Sequence, residues 1–316
     1  MQAVRKRPLG KTSLEVSELG LGTWGLAGDG YGPVVLPEVD RVLDRAVSSG
    51  VNLFDTADVY GRGAMEKKLG ARLPKDKTYV VTKIGTDLEA SPAQKRFDPS
   101  YLRVAFERSR ERLDRSPLDV VLLHNPTAQA LARTETVAFM KELEERGLVR
   151  AWGVSAGSVE VGRAAIQAGA KVLELAYNVF MAKDLHALSA DVKEHGTGVL
   201  ARSVLAHGLL TGHWSPEREF YAGDHRADRW TPNELAKRIQ QLDALRPFAK
   251  AEDVGTLRAV ALRFVLSNQL VSSAIVGPRS VAQFDQLERE AGEPPYLKDT
   301  VMVELAARLK AVGIEV

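Results

Sequence analysis

The chain has 316 residues, 45% of them apolar and 27% charged, with a formal net charge of +2 and no cysteine. That length suits one α/β barrel of roughly 250 residues with insertions, and a chain of this size needs no disulfide or metal to hold its core. The lack of cysteine excludes disulfides, thiolate zinc sites and a thiol nucleophile, and the balanced charge gives no reason to expect nucleic acid or an anionic membrane as a partner.

Taken in chain order, the first predicted element is a hairpin over residues 10–17 (GKTSLEVS) that closes the bottom of the fold. Then come eight short apolar runs. They are SELGL near residue 19, VNLF (51–54), TYVVT (78–82), DVVLL (119–123), VRAWGV (149–154), KVLEL (171–175), TGVLA (197–201) and VSSAIV (271–276). Runs of this kind suit parallel strands buried on both faces. Helical patterns lie between and after them. One covers 37–49, with Pro37 at a favoured first position and Gly50 as its stop. Others cover 100–115, 134–146 (ending at Gly147), 158–168, 184–195, 232–249, 255–267, 280–291 and 298–312. Strand–helix alternation of this kind predicts a single α/β domain over 1–316, a (β/α)8 TIM barrel with an N-terminal β-hairpin and extra C-terminal helices. The long connection 202–231 falls after the seventh strand, where it would lie on the catalytic face. No apolar run reaches the ~20 residues of a membrane helix, and residues 1–30 hold no signal-peptide core, so the expected location is cytoplasmic.

The stretch Gly20-Leu21-Gly22-Thr23-Trp24-Gly25 satisfies the G-x-G-x-x-G pattern of dinucleotide folds. That pattern needs a helix starting inside it. Here Gly28, Gly30, Gly32 and Pro33 follow, and no helix survives that composition. The stretch reads instead as a loop at the barrel mouth whose small residues let a ligand approach the backbone.

In an α/β barrel the chemistry sits where strands end. Asp55 follows the second run and Tyr60 lies five residues on. Lys83 follows the third and His124 the fourth. Each alone is commonly a turn residue or a solvated side chain, but three adjacent strand ends bring these groups to one rim. A tyrosine keeps its proton at neutral pH, and a neighbouring ammonium eases its release. Asp55 would hold Lys83 charged, and a neutral His124 would orient a carbonyl. Together they form a general acid aimed at a developing alkoxide, and the hydride must come from a cofactor. At the eighth strand, Gly277-Pro278-Arg279-Ser280 opens a helix, an arrangement suited to a phosphate. His207, His213 and His225 lie in one irregular loop without metal-ligand spacing, so no metal is expected.

These residues resemble the aldo-keto reductase family, and most closely its bacterial and potassium-channel β-subunit-like branch. The resemblance rests on LGLGTWGLAGDGYG, FDTADVYG (54–61), VVTKIG (80–85), DVVLLHNP (119–126), WGVSAGS (152–158), ELAYN (174–178), LAHGLLTG (205–212) and AIVGPRSVAQ (274–283). It implies reduction of an aldehyde or ketone with NADPH/NADP+ as cofactor, and a catalytic tetrad of Asp55, Tyr60, Lys83 and His124. It also implies that Thr23 and Trp24 border the nicotinamide, that Tyr177 stacks on it, and that Ser155 and the residue at Glu174 meet the carboxamide. Ser203, Leu205 and Gly208 would line the pyrophosphate. Gly277, Arg279 and Gln283 would hold the adenosine end, with Arg279 near the 2′-phosphate. Trp24, Tyr31, Tyr60, His124 and the 213–230 loop would shape the pocket for a small-molecule carbonyl. The same resemblance allows an NADP(H)-binding regulatory subunit with little turnover. Five departures touch the cofactor side. Glu174 replaces the usual Gln, Ala156 an Asn, Arg202 a Tyr, Val204 a Pro and Leu287 an Asn.

Overall fold

The computed structural model describes residues 4–250 and 254–315. Eight parallel strands close into a barrel: β1 (Leu19–Gly22), β2 (Leu53–Asp55), β3 (Tyr79–Ile84), β4 (Leu118–His124), β5 (Val149–Ser155), β6 (Val172–Ala176), β7 (Gly198–Arg202) and β8 (Val271–Val276). All eight fall on the runs predicted from sequence, and β8 pairs with β1 to close the ring through Val276 beside Leu21. The N-terminal hairpin pairs Lys6–Pro8 with Glu15–Ser17. Its turn carries Leu9 and Leu14, which join Val16 and the barrel residues Leu53, Val81, Val120, Leu122, Val172, Leu200 and Ile275 in one apolar cluster. That cluster fills the barrel interior from below.

Alternation along each strand then decides what stands above it. Side chains two residues apart share a face. Leu53, Val81, Leu122, Val172 and Leu200 belong to the interior cluster, so Asp55, Lys83, His124, Glu174 and Arg202, at the same strand faces, form the next layer up. Val80, Val121 and Leu123 instead belong to the outer core beneath the helices.

The barrel helices are α1 (Leu36–Ser48), α2 (Ala64–Arg72), α3 (Pro99–Leu113), α4 (Thr134–Glu145), α5 (Val159–Gln167), α6 (Ser189–His195), α7 (Leu257–Ser267) and α8 (Val281–Ala291), with α9 (Asp299–Ala311) following. Helix α2 was not expected from the sequence, because Gly61, Gly63 and Gly70 dilute its pattern. Gly70 has a packing reason, since a Cβ there would stand 2.5 Å from the Arg112 carbonyl oxygen on α3. Two predicted helices are broken. The 184–195 segment divides into Lys183–Ala187 and α6, and the 232–249 segment into Pro232–Leu242 and Arg246–Lys250. A second hairpin, Thr86–Asp87 with Gln94–Lys95, lies in the connection after β3 and had no sequence forecast.

The glycine-rich stretch packs into the barrel at Gly20 and reaches the mouth beyond it, where Gly22 and Gly25 line a cleft. β1 ends at Gly22, only a short 3-10 turn follows at Trp24–Leu26, and α1 begins at Leu36. A Cβ on Gly20 would lie 2.6 Å from Ile275 Cδ1 inside the barrel.

Candidate active site

Asp55, Lys83 and His124 each occupy a strand near its C-terminal end, rather than following it. Lys83 is buried and its Nζ donates to Asp55 Oδ2 at 2.5 Å and to the Thr56 carbonyl at 2.9 Å. The loop after β2 is stitched to β3, with the Thr56 amide donating to the Val81 carbonyl and the Asp58 amide to that of Lys83. This carries Tyr60 back over the barrel mouth, where Lys83 Nζ lies 5.4 Å from its ring centroid. Gly61 and Arg62 take left-handed backbone, and the Gly61 amide donates to Asp29 Oδ2 at 2.7 Å. His124 meets Tyr60 edge-on, with ring centroids 6.3 Å apart. Lys95, from the second hairpin, donates to the His124 carbonyl at 2.8 Å and fixes the end of β4. The four residues that the sequence reading selected are therefore brought together.

Burial and the strongest neighbouring charge act in opposite directions on Lys83 and on Tyr60. Burial works against the Lys83 charge, but Asp55 and Glu174 outweigh it and hold the ammonium above its ordinary range. Burial raises the Tyr60 phenol above its usual value, and Lys83 opposes that rise. Burial, with Lys83, Lys95 and Arg202 nearby, lowers His124 well below the usual histidine range, so the ring is neutral at physiological pH. Its Nδ1 is buried without a hydrogen-bond partner.

A cleft of about 990 Å³ runs from this group across the mouth to Gly277, Arg279 and Gln283. Trp24, Tyr31, Ser155, Glu174, Ser203, Leu205 and Gly208 also line it. Trp24 stacks near-parallel to Tyr60 at 6.1 Å, and Tyr31 and His225 pack against Trp24. The Tyr31 hydroxyl and His207 Nδ1 are 3.0 Å apart, joining the loop after β1 to the loop after β7. Burial pushes His207 down to about 3 and His225 to about 4, which leaves both neutral. Among the described residues, no group of three or more His, Cys, Asp or Glu could hold a metal ion.

Two expected contacts are placed differently. Tyr177 is buried outside the cleft. Its ring stacks on Phe264 at 5.4 Å, and its hydroxyl accepts from Asn268 Nδ2 at 2.9 Å, so stacking on a nicotinamide does not fit this position. The alternation of β6 explains it, since Glu174 points inward while Tyr177 lies three residues on. Thr23 is also buried, and its Oγ1 donates to the Asp55 carbonyl at 2.8 Å, so it holds the tetrad backbone instead of facing the cleft.

Gly277, Arg279 and Gln283 lie together at one end of the cleft, and Arg279 is engaged internally. The Arg279 guanidinium donates to the carbonyls of Tyr31, Gly32 and Pro33 at 2.6–3.0 Å, and its Nε is buried without a partner. Glu38 accepts from the Val281 amide at 2.8 Å, and Ser280 caps α8 by accepting from that of Gln283 at 3.2 Å. Arg202, Arg226, Arg229 and Asn125 also line the cleft; Arg202 was marked only as a departure, Arg226 and Arg229 only as part of the 213–230 loop, and Asn125 had no expected role. Arg202 occupies an inward position of β7 that period-two alternation would have marked. Arg226 and Arg229 sit in the irregular loop and have no such signal.

A family model described as the Aldo/keto reductase family matches residues 18–292. The chain is 27% identical to Aldo-keto reductase YhdN of Bacillus subtilis (strain 168), over 89% of this chain and 87% of the relative. It is 28% identical to the NADH-specific methylglyoxal reductase of Escherichia coli (strain K12), over 89% of this chain and 91% of that one. The glycerol dehydrogenase AKR11B4 from Gluconobacter oxydans has the same fold, with a TM-score of 0.83 at 25% identity, covering 98% of this chain and 96% of that one.

Proposed function

The chain belongs to the aldo/keto reductase family, and from that premise we propose that it is an NADP(H)-dependent carbonyl reductase in which Tyr60 is the general acid. The observation that carries this reading is the Asp55–Lys83–Tyr60–His124 group at the barrel mouth, beside a cleft of about 990 Å³ that reaches from it to Arg279.

The residues present fit such a cofactor. The cleft lies at the upper end of the 300–1,000 Å³ range of small-molecule sites. A Cβ on Gly277 would come no nearer than 3.7 Å to its surroundings, which leaves the backbone there open to close approach. Ser155 and Glu174 would hold the nicotinamide end, Ser203, Leu205 and Gly208 the middle, and Gly277, Arg279 and Gln283 the adenosine end. When bound, the cofactor supplies a hydride. The protein handles the proton. Tyr60 gives its phenolic proton to the carbonyl oxygen as charge develops there. Lys83, kept charged by Asp55, stabilises the phenolate that results. Neutral His124 hydrogen-bonds the same oxygen and orients it, and Trp24 and Tyr31 wall the substrate side. No helix is long and apolar enough to cross a membrane among the described residues, and we place the protein in the cytoplasm acting on a small aldehyde or ketone.

One set of observations favours a second reading, a cofactor-binding regulatory subunit with little turnover. The nicotinamide side carries Ala156, Glu174 and Arg202, and Tyr177 is turned away. An aldehyde and ketone panel under multiple turnover, read alongside NADPH and NADH titrations, decides between them. Sustained NADPH oxidation supports the reductase, while binding without turnover supports the subunit. A preference for NADH, the cofactor named for the methylglyoxal reductase, would overturn the NADP(H) assignment alone.

A further inference from the structure

The layer that holds the tetrad contains a second ion pair. Glu174 on β6 is 2% exposed, and its Oε2 lies 3.3 Å from Lys83 Nζ. Its Oε1 lies 3.7 Å from Arg202 Nε on β7 and accepts from Ser155 Oγ at 3.4 Å. Arg202 also donates to the Ala156 carbonyl at 3.2 Å, which ties the guanidinium down. Lys83 therefore stands between two carboxylates, Asp55 and Glu174, and Arg202 supplies the matching second cation. The charged and titratable groups around Tyr60 are Asp55 from β2, Lys83 from β3, His124 from β4, Glu174 from β6 and Arg202 from β7.

We infer that Glu174, balanced by Arg202, is a positioning residue of the catalytic group, a second carboxylate on Lys83 that sets the pH at which Tyr60 gives and takes its proton. The inference rests on the reductase reading for Tyr60 but not for the ion cluster itself. A buried anion beside Lys83 opposes the phenolate, and a cation beside that anion favours it. Glu174 and Arg202 thus act on Tyr60 with opposite signs, and replacing either alone leaves the other uncompensated. The cluster also bears on Asp55. Burial first, and then Glu174, push the Asp55 carboxyl upward, against the pull of Lys83. The second carboxylate therefore makes the buried cluster costlier to keep ionised, a cost that is absent at acid pH and grows as pH rises.

The test uses the full chain and Glu174→Gln, Arg202→Gln and the double variant. Oxidation of the alcohol made from the best carbonyl substrate is followed against pH. Glu174→Gln is expected to move the alkaline break, where Tyr60 becomes phenolate, down by about one pH unit. Arg202→Gln moves it up, and the double variant returns toward the parent. The second readout needs no turnover. The melting temperature of the cofactor-free protein is followed from roughly pH 5 to 8, and Glu174→Gln should flatten its decline. Superimposed pH breaks and parallel melting profiles, with only the KM for cofactor altered, would overturn the inference. If no carbonyl is reduced, the reductase reading fails on its own, and the melting profiles still decide whether Glu174 loads the cluster.

Discussion

Lys83 keeps its charge inside the barrel because two carboxylates and a carbonyl surround it, and in the proposed mechanism that charge eases proton release from Tyr60. His124 is neutral for the opposite reason, since its charged neighbours are cations and it is buried. No loss of carbonyl reduction from histidine protonation is therefore expected as pH falls from roughly 7 to 6, the window in which an ordinary histidine takes up its proton. A pH profile of kcat/KM that drops there, and loses the drop in His124→Gln, would contradict this. Arg279 carries a different expectation. Its guanidinium clasps the carbonyls of residues 31–33, so a 2′-phosphate would compete with that clasp. Arg279→Ala should weaken NADP+ by about ten- to a hundredfold, the range of a charge-assisted contact, and NAD+ much less. Equal losses in a fluorescence titration would assign Arg279 to the loop alone. At this scale the tetrad was legible because Asp55, Lys83 and His124 fall at strand ends. Tyr177 was misplaced because motif spacing does not say which face of the chain a residue presents. The contact of Glu174 with Lys83 was hidden inside an apolar run, and only the alternation of β6 reveals it.

Among the elements, the N-terminal hairpin is the floor of the site. Leu14 is 2% exposed within the interior cluster that carries the layer of Asp55 and Lys83. Leu14→Ala should destabilise the fold by about 2–5 kcal/mol through the lost contacts and the cavity left behind. Well below its melting temperature, the variant should keep its kcat, because the tetrad stands at the opposite end. A matching loss of kcat with no change in thermal melting would contradict the floor role. The second hairpin is more directly tied to the site through Lys95 and the His124 carbonyl. The first hairpin was readable only in its turn and second strand, since its first strand, Lys6–Pro8, precedes the expected 10–17 range and is too short and charged to show a pattern. The second hairpin was not readable, because its strands are two residues each and leave no periodicity. Helix α2 escaped notice for a related reason, as Gly70 is dictated by the approach of α3 and carries no local helical preference.

For the whole molecule, the barrel followed from eight apolar runs in alternation with helical patterns, and the closed ring accounts for why groups distant in sequence share one mouth. The loops that cover the mouth were not readable in the same way. Trp24, Tyr31, His207, His225 and Arg226 interlock across two connections, and such contacts follow from loop shape, which composition does not encode. The role proposed for Tyr60 is tested most directly by stopped-flow loss of NADPH on mixing with a reducible aldehyde, comparing the parent chain with Tyr60→Phe. NADPH is expected to bind with similar affinity while its oxidation slows by about 10²–10⁴-fold, the loss of a general acid. Unchanged turnover in Tyr60→Phe would contradict it.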